Sequence, residues 1–484
     1  MLSIVRQAYY QKAGHKKLQT LVTDNIDMGD TSESFIAKST LKANDLEHRR
    51  KINFNIGKYN AVVPIGKQQF NNVGLARERA KNLKWKAIEA LDEYLQEFEA
   101  AFTKRGGKVI WAEDAKQALD EILAICKEKN CKSIVKSKSM VTEEIKLNHF
   151  LEENKIESVE TDLGEYIQQL DNEPPYHIVT PAMHKSKEDV AKLFHEKLNT
   201  DINLTPQELT LVAREKLREK YTKAEIGITG ANFIIADTGA IAVTENEGNA
   251  RLSCAFPKTH IAITGIEKVI PSLTDLNLFW PLLSTYGTGQ QLTVYNTIIA
   301  GPKQSGEADG PEEMYVILLD NGRTNILANE KSRESLYCIR CGACLNACPV
   351  YKNIGGHSYE ATYSGPIGAV ITPQLQNLGE WKHLSYASSL CGNCTEVCAV
   401  KINLHELLLE NRHEAVEEGD ATWQEKIAWK VWKQSSLSRK MMNLGNRKIK
   451  NWMVNKVFKG WTAHRADLDF SSKTFNELWK EKKK

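Results

Sequence analysis

Short apolar runs alternate with amphipathic segments over the central part of the chain. Eight runs have strand character, because they are short, rich in Val and Ile, and in several cases almost continuously apolar, as in buried strands. They are KVIWA (108–112), SIVKS (133–137), IESVET (156–161), HIVTP (177–181), ANFIIAD (231–237), AIAVT (240–244), HIAITG (260–265) and LTVYNTIIAG (292–301). Four segments between them have helical periodicity: 112–128, 142–153, 163–170 and 187–198. This alternation predicts an α/β domain with a mostly parallel sheet, which we place at residues 65–325.

The flanking segments have a different character. Residues 1–64 are polar and basic with little periodicity, and we interpret them as an N-terminal arm. The segment 76–107 has apolar positions three and four residues apart and ends at Gly106-Gly107, which predicts one long helix. Residues 375–390 and 403–419 also have helical patterns, the second ending at a glycine.

Seven of the ten cysteines lie in two short runs near the C-terminal end. The first run has the spacing in which a tight loop turns three thiolates toward one iron–sulfur cubane, while the x3-Cys ligates the other cluster. The second run repeats this spacing with one cysteine fewer. The first run also ends in Cys348-Pro349. The sequence therefore predicts a helical, ferredoxin-like domain at residues 331–412 with two [4Fe-4S] clusters. The predicted ligands are Cys338, Cys341, Cys344 and Cys398 for the first cluster and Cys348, Cys391 and Cys394 for the second.

Zinc is the alternative occupant, because paired cysteines two residues apart also build zinc sites. A zinc site closes with four ligands, however. Seven interlocked cysteines with a Cys-Pro end favour iron–sulfur clusters.

The two cysteine runs are an internal repeat with one ligand missing. CIRCGACLNACPV (338–350) aligns with SSLCGNCTEVCAV (388–400), which places Ser388 where the first run has Cys338. Three alternatives remain for the fourth iron of the second cluster: a non-cysteine ligand such as Ser388, a cysteine from a partner, or a three-iron cluster. We favour a four-iron cluster with one non-cysteine or exchangeable ligand. The other role open to Ser388 is a helix cap.

Composition indicates a cytoplasmic redox protein. The 484 residues suffice for two or three domains. The N-terminal residues lack the apolar core of a secretory signal, and no apolar stretch approaches the length that spans a bilayer. Ten cysteines without such a signal indicate reduced thiols. No dinucleotide fingerprint or P-loop occurs in a strand–turn–helix context, so NAD, FAD or ATP binding is not predicted.

Residues 413–484 form a basic, tryptophan-rich C-terminal region. Residues 421–484 carry 16 Lys/Arg against 5 Asp/Glu, so the rest of the chain is net acidic although the whole has a net charge of +3. We favour docking of the aromatic side chains on protein, since aromatic residues are enriched in interface cores. A peripheral contact with an anionic membrane is the alternative, and no nucleic-acid partner is expected. The region holds six of the ten tryptophans: Trp423, Trp429, Trp432, Trp452, Trp461 and Trp479.

Polar residues in turns beside the strands are candidates for a substrate pocket, because ligands of open α/β sheets bind at the carboxyl ends of strands. An arginine can clamp the carboxylate of a 2-hydroxy acid, and a histidine can take its hydroxyl proton. The alternative, favoured by the absence of an accompanying metal or nucleotide motif, is that these residues form ordinary turns. The candidates are Asp237, Thr238, Gly239, Glu247, Asn249, Arg251 and His260.

Four segments carry a resemblance to a known family: VKSKSMVTEEI (135–145), ETDLGEYIQQL (160–170), HIVTPAMHK (177–185) and residues 227–273. They resemble the lactate-utilization domain, and this domain followed by the two cysteine runs is similar to the layout of the lactate utilization protein B family. The resemblance implies a domain related to sugar-isomerase and CoA-transferase folds, a two-cluster ferredoxin domain and a short C-terminal family region. It also implies a complex with a cysteine-rich redox subunit and a second lactate-utilization-domain subunit, which together oxidise L-lactate to pyruvate.

The cysteine spacing by itself supports only electron transfer. With the resemblance, we expect an iron–sulfur electron-transfer subunit of an L-lactate-oxidising complex. One alternative is a stand-alone α/β enzyme or ligand-binding protein with structural or sensory clusters, and another is the same chemistry on a different 2-hydroxy acid such as glycolate. A cubane passes one electron at a time, so the two-electron step is expected on a partner, an undetected cofactor or a further cluster.

Overall fold

The strands form two sheets in the computed structural model, which describes residues 31–419, 423–442, 445–457 and 467–483. Asp30–His413 is one compact unit, and the residues from Glu414 onward belong to another. The strands are β1 (Lys108–Ala112), β2 (Ser133–Lys136), β3 (Glu157–Glu160), β4 (Ile226–Thr229), β5 (Phe233–Ile235), β6 (Ala240–Glu245), β7 (Thr259–Gly265), β8 (Val269–Ile270), β9 (Tyr295–Ile299) and β10 (Glu313–Leu319).

The larger sheet has six strands in the order β1-β10-β7-β4-β2-β3, and every neighbouring pair is parallel. Its central strands β4 and β7 are buried at every position, which explains their apolar sequences. The register places Ile261 beside both Ile228 and Tyr315. The mostly parallel α/β architecture predicted from the sequence is confirmed.

The smaller sheet has the order β8-β5-β6-β9. Strands β5 and β6 form an antiparallel hairpin, β9 adds antiparallel to β6, and β8 adds parallel to β5. The predicted strands 231–237 and 240–244 therefore belong to this sheet and not to the parallel one.

Helices cover both faces of the parallel sheet and form most of the cysteine-containing part. In the main unit and the segment that follows it they are α1 (Thr31–Asn44), α2 (Leu46–Gly66), α3 (Val73–Glu89), α4 (Leu91–Lys104), α5 (Ala115–Glu128), α6 (Met140–Glu144), α7 (Leu147–Glu153), α8 (Leu163–Asp171), α9 (Lys187–Leu198), α10 (Pro206–Lys223), α11 (Asn249–Ala255), α12 (Leu276–Thr288), α13 (Arg323–Ala328), α14 (Ala343–Ala347), α15 (Pro349–Ile354), α16 (Gly365–Leu375), α17 (Leu378–Tyr386), α18 (Asn393–Glu396) and α19 (Leu404–Glu417). The C-terminal region adds α20 (Trp423–Leu437), α21 (Arg439–Met442), α22 (Arg447–Val457) and α23 (Phe475–Lys482).

Several helix ends follow from local sequence. The Ser186 hydroxyl accepts from the Asp189 N–H while the Asp189 carboxylate accepts from the Ser186 N–H, so α9 begins with a capping box. Helix α10 begins in the same way at Thr205 and has Pro206 in its first turn.

Three local predictions were wrong. Residues 177–181 form a loop and not a strand, because the His177 Nδ1 accepts the backbone N–H groups of Val179 and Thr180 and curls the chain. The predicted helix 76–107 is two helices, α3 and α4, separated at Ala90 (φ −120°, ψ 42°). The predicted helix 142–153 is likewise divided, into α6 and α7, at the left-handed Lys146. Strand β10, which lies between β1 and β7 in the parallel sheet, was not among the predicted strands.

The N-terminal segment is helical where the structure describes it. Helix α2 runs through the predicted boundary between residues 64 and 65, and its Ile52 and Ile56 are fully buried in the same core as the cysteine-containing part. Phe35 of α1 packs edge-on against Tyr359. Residues 1–30 of the predicted arm lie outside the described residues.

The C-terminal region exposes its aromatic residues. Trp423, Trp429 and Trp432 on α20 have exposed fractions of 68%, 66% and 61%. Trp452 and Trp479 are also exposed, and Trp461 lies outside the described residues. Among the helices that the structure describes, none combines the length and apolar character needed to cross a bilayer.

Candidate iron–sulfur centres and an adjoining cavity

Four cysteines from the two sequence runs surround one small, mostly apolar cavity: Cys338, Cys341, Cys344 and Cys398. A left-handed Gly342 (φ 79°) turns the chain after Cys341, so that Cys344 on α14 points back to the same space. Cys398 arrives from the second run, just after α18. The lining thus combines three cysteines of the first run with the last cysteine of the second.

The chemistry of these thiols fits an iron–sulfur cluster. All ten cysteines of the chain are free. Burial raises the pKa of Cys344 well above its usual value, and its three neighbouring thiols raise it further. Burial also raises the pKa of Cys341 to about 12 and that of Cys398 to about 11. Buried thiols of this kind become thiolates when a metal replaces the proton, and iron is the metal for this cysteine spacing.

The other three cysteines of the runs form a second group nearer the surface. Burial and then the thiol of Cys348 raise the pKa of Cys394 to about 11, and Cys391 contributes in the same direction. Cys391 itself is exposed, and the backbone N–H of Asn393 lowers its pKa. These three thiols can hold a second cluster whose edge meets solvent.

The backbone repeats the sequence alignment at Ser388. Arg340 and Leu390 are both left-handed (φ 60° and 53°), as are the glycines that follow the next cysteine in each run. The Arg340 N–H donates to Cys338 Sγ at 3.4 Å, and the Leu390 N–H donates to Ser388 Oγ at 3.1 Å. Helix α17 ends before Ser388, and the cap of α18 is Gly392, so Ser388 does not cap a helix. Its hydroxyl therefore occupies the position that corresponds to a ligand sulfur.

A larger cavity of ≈ 320 Å³ adjoins the first cysteine group and shares Cys341 with it. The parallel sheet explains its position. The chain moves outward from β2 to β3 on one side and from β4 to β7 on the other, so the order of the strands reverses between β2 and β4. Ligands of open α/β sheets bind at the carboxyl ends of strands beside such a reversal. Lys138 and Ser139 follow β2, Asn232 follows β4, and all three line the cavity.

Acidic groups form one wall of this cavity: Asp162, Glu245 and Glu247. Burial and the Asp162 charge raise the pKa of Glu247 to about 7, while its Oε2 accepts the Leu163 N–H at 3.0 Å. Glu245 accepts the N–H groups of Ala250 and Arg251 and so caps α11.

Basic groups lie in the same cavity: Lys138, Lys268 and Arg340. Lys138 donates to the carbonyl of Val179 at 2.8 Å. The Arg340 guanidinium stacks 4.5 Å above the ring of Tyr363, and its Nη2 lies 3.5 Å from Glu267. The cavity therefore has both signs of charge on its walls, with Arg340 adjacent in sequence to Cys341.

A buried ionic network joins the α/β part to the cysteine-containing part. Arg323 donates from Nε to Glu267 at 2.6 Å and from both terminal nitrogens to Glu144 at 3.0 and 2.8 Å. Tyr363 donates to the same Glu144 carboxylate at 2.6 Å. The side chains of Arg323 and Glu267 are 1% and 2% exposed, so these charges depend on one another.

The structure brings only two of the predicted pocket residues into the cavity, Glu247 and Asn249. Asp237, Thr238 and Gly239 form the β5–β6 turn, where the Asp237 carboxylate accepts the Leu273 N–H. The Arg251 side chain is exposed and does not line the cavity.

His260 lies fully buried inside β7, outside the cavity. Its Nε2 is 2.8 Å from Thr229 Oγ1, and burial lowers its pKa to about 4. It is therefore a neutral core histidine in this structure.

The sequence analysis did not single out Lys138, Lys268 or Arg340. Each carried a local signal, however. Lys138 directly follows a buried strand, Arg340 lies between two cluster cysteines, and Lys268 stands among the apolar residues GIEKVIP. A lysine in an otherwise apolar segment is a useful sign of a buried charged site.

Family comparisons agree with this architecture. Residues 95–319 match the LUD domain, and residues 334–402 match the 4Fe-4S dicluster domain. These matches define an iron–sulfur protein that joins a LUD domain to a dicluster domain.

Curated relatives identify the family. Proteins named lactate utilization protein B from Bacillus velezensis and Bacillus cytotoxicus are each 46% identical to this chain, covering 84% of it and 88% of their own length. The chain belongs to the lactate utilization protein B family. A solved DUF162 family protein from Deinococcus radiodurans is 13% identical with a TM-score of 0.27, over 48% of this chain and 98% of its own, and supports no further conclusion.

Proposed function

We propose that the chain is an iron–sulfur electron-transfer subunit of a cytoplasmic complex that oxidises L-lactate to pyruvate. The name of its curated relatives supports the connection with lactate. The observation that carries the proposal is the shared wall of the two cavities, because Cys341 belongs to both. A substrate or cofactor in the larger cavity would lie directly beside the first cysteine group.

Oxidation of L-lactate to pyruvate releases two electrons and two protons. Two [4Fe-4S] clusters, one on Cys338, Cys341, Cys344 and Cys398 and one on Cys348, Cys391 and Cys394, would supply one-electron transfer. The exposed Cys391 gives the second site contact with solvent or a partner. The residues of this chain thus offer a binding cavity beside the first cysteine group and an exposed cysteine in the second group.

The proposed partners are a cysteine-rich redox subunit and a second LUD-domain subunit. The exposed tryptophans of α20 are a candidate docking surface, since large aromatic side chains dominate interface energetics. Basic residues between and beside them, such as Lys430 and Lys433, suit an acidic partner surface.

The deciding experiment compares the isolated chain with the complex. Under anaerobic conditions, the iron-loaded chain alone is expected not to oxidise L-lactate with an artificial acceptor, whereas addition of the two partner subunits restores oxidation. Turnover by the chain alone would contradict the subunit assignment. The same assay with glycolate in place of L-lactate tests the identity of the substrate. Faster oxidation of glycolate would assign glycolate, and not lactate, as the substrate of the complex.

A further inference from the structure

Two cations that line the larger cavity have nitrogen atoms without a hydrogen-bond partner among the described residues. Lys268 lies at the end of the turn Ile266–Lys268 and is 7% exposed, and its ammonium group makes neither a hydrogen bond nor an ion pair with any residue that the structure describes. The buried Nη1 of Arg340 also lacks a hydrogen-bond partner within the described chain. Both residues line the cavity together with Cys341.

A buried donor nitrogen without a partner is costly, so the free Arg340 Nη1 beside the unbonded Lys268 ammonium needs an explanation. Lys84 provides an internal comparison. It is 1% exposed, but its Nζ donates to the backbone carbonyls of Glu267 and Val269. Both lysines lie close enough to Cys338 for that thiol to affect their pKa. Both can therefore balance the charge of a cluster, but only Lys268 lines the cavity with its donors unused.

We propose that Lys268 and Arg340 bind the carboxylate of a small 2-hydroxy or 2-oxo acid in this cavity, beside Cys341. The proposal rests on the proposed function and places the substrate in this subunit. The guanidinium is held in place by the Tyr363 ring and by Glu267, so its free nitrogen has a fixed direction. A carboxylate is the planar anion that such a fork and a neighbouring ammonium recognise.

The acidic residues of the lining restrict which anions fit. Asp162, Glu245 and Glu247 repel a multiply charged anion such as phosphate or a nucleotide. A monocarboxylate places its single charge at the cationic side, and its hydroxyl or keto oxygen then lies toward the polar wall. Glu247 is the hydrogen-bond partner for a hydroxyl group there, since its Oε2 is already fixed by the Leu163 N–H. The cavity thus selects a small monocarboxylate that carries a second oxygen function.

The test is equilibrium binding to the iron-loaded chain without partners. L-Lactate and pyruvate are titrated by calorimetry, with propionate and inorganic phosphate as probes that lack the second oxygen or the single charge. We expect lactate and pyruvate to bind, propionate more weakly and phosphate not at all. Lys268→Met should weaken lactate binding roughly tenfold to a hundredfold, the worth of one hydrogen-bonded charge.

Lys352→Met is the control, because Lys352 is a cation close enough to Cys348 to affect the pKa of that thiol but does not line the cavity. This control variant should bind lactate with an affinity within about twofold of the parent, the usual deviation for a substitution at an independent site. Lys268→Arg retains the charge and should restore binding if Lys268→Met folds poorly, and iron content is measured in every variant. Equal lactate affinity in Lys268→Met and the parent, equal loss in both lysine variants, or phosphate binding as tight as lactate would each overturn the proposal.

The outcome is separable from that of the proposed function. A chain whose complex oxidises lactate but which binds no monocarboxylate here would reject only the binding site. A chain that binds lactate here but whose complex never oxidises it would reject only the proposed function.

Discussion

Replacing Arg323 with Met should destabilise the main unit strongly, because it leaves two buried carboxylates without their shared cation. The Arg323 guanidinium makes three hydrogen bonds to Glu144 and Glu267 and a fourth to the carbonyl of Asp320. Removing one partner from a buried ionic group costs about 3–5 kcal/mol. We therefore expect Arg323→Met to lower the free energy of unfolding by about 4 kcal/mol at neutral pH.

The matched control is Arg333→Met. Arg333 also contacts a carboxylate with bonds of 2.9 Å, but this Glu89 pair lies at the surface with side chains 27% and 36% exposed. Exposed pairs contribute about 0–1 kcal/mol. Urea unfolding followed by circular dichroism, under anaerobic conditions and at equal iron content, compares the two variants with the parent. Similar losses in both variants would refute the argument that burial makes the Arg323 network strong.

The loss of stability in Arg323→Met should depend on pH, and the direction of this dependence follows from the pKa values of the two carboxyl groups. Burial alone would raise the pKa of Glu267, but Arg323, Arg340 and Lys268 outweigh it and lower that pKa from 4.5 to about 2. Arg323 likewise reverses the effect of burial on Glu144. A lowered carboxyl pKa stabilises the fold above pH 4.5, and this contribution is lost as pH falls toward 2. The difference in free energy of unfolding between the parent and Arg323→Met should therefore be largest at neutral pH and should decrease in acid.

Three further predictions concern the site. Cys398→Ala should remove iron from the first cluster, whereas Cys394→Ala should remove iron from the second, as electron paramagnetic resonance of each variant can show. Iron loss from the second cluster in Cys398→Ala would contradict the crossed arrangement of ligands. In air, the second cluster should lose iron more slowly in Ser388→Cys than in the parent, and more quickly in Ser388→Ala. Identical spectra and iron contents in all three proteins would exclude Ser388 as a ligand. Lactate binding should strengthen as pH falls through about 7, because Glu247 becomes neutral there. Glu247→Gln should flatten this dependence in calorimetric titrations, and an unchanged pH profile in that variant would show that another group controls it.

Local pattern was sufficient for much of the fold. Strands such as β2 and β7 are short apolar runs between helical segments, so periodicity alone predicted them. Residues 177–181 look equally apolar, but a side-chain acceptor on His177 takes the N–H groups that a strand would need. Whether a short apolar run joins a sheet depends on such competing hydrogen bonds, which periodicity does not record.

The two parts of the candidate site differ in how far sequence could predict them. Cysteine positions follow from ligand spacing, and so does the crossed grouping, which stays a prediction. The four cysteines that it assigns to the first cluster surround one cavity. The larger cavity depends on residues far apart in the chain, which meet only when the loops after β2 and β4 pack beside Arg340. Asp237 and Arg251 were predicted from the composition of the turns that contain them. Glycine-rich turns follow many strands, however, and sequence alone does not show which strand ends lie around the same cavity.

Freeze-quench electron paramagnetic resonance of the assembled complex, after anaerobic mixing with L-lactate, tests most directly whether electrons from lactate enter the clusters of this chain. We expect reduced-cluster signals of this chain to appear within a single turnover. Lys268→Met should delay these signals at low lactate concentration, whereas Lys352→Met should not. Lactate oxidation at an undiminished rate while the clusters of this chain stay oxidised would contradict the proposed electron-transfer role.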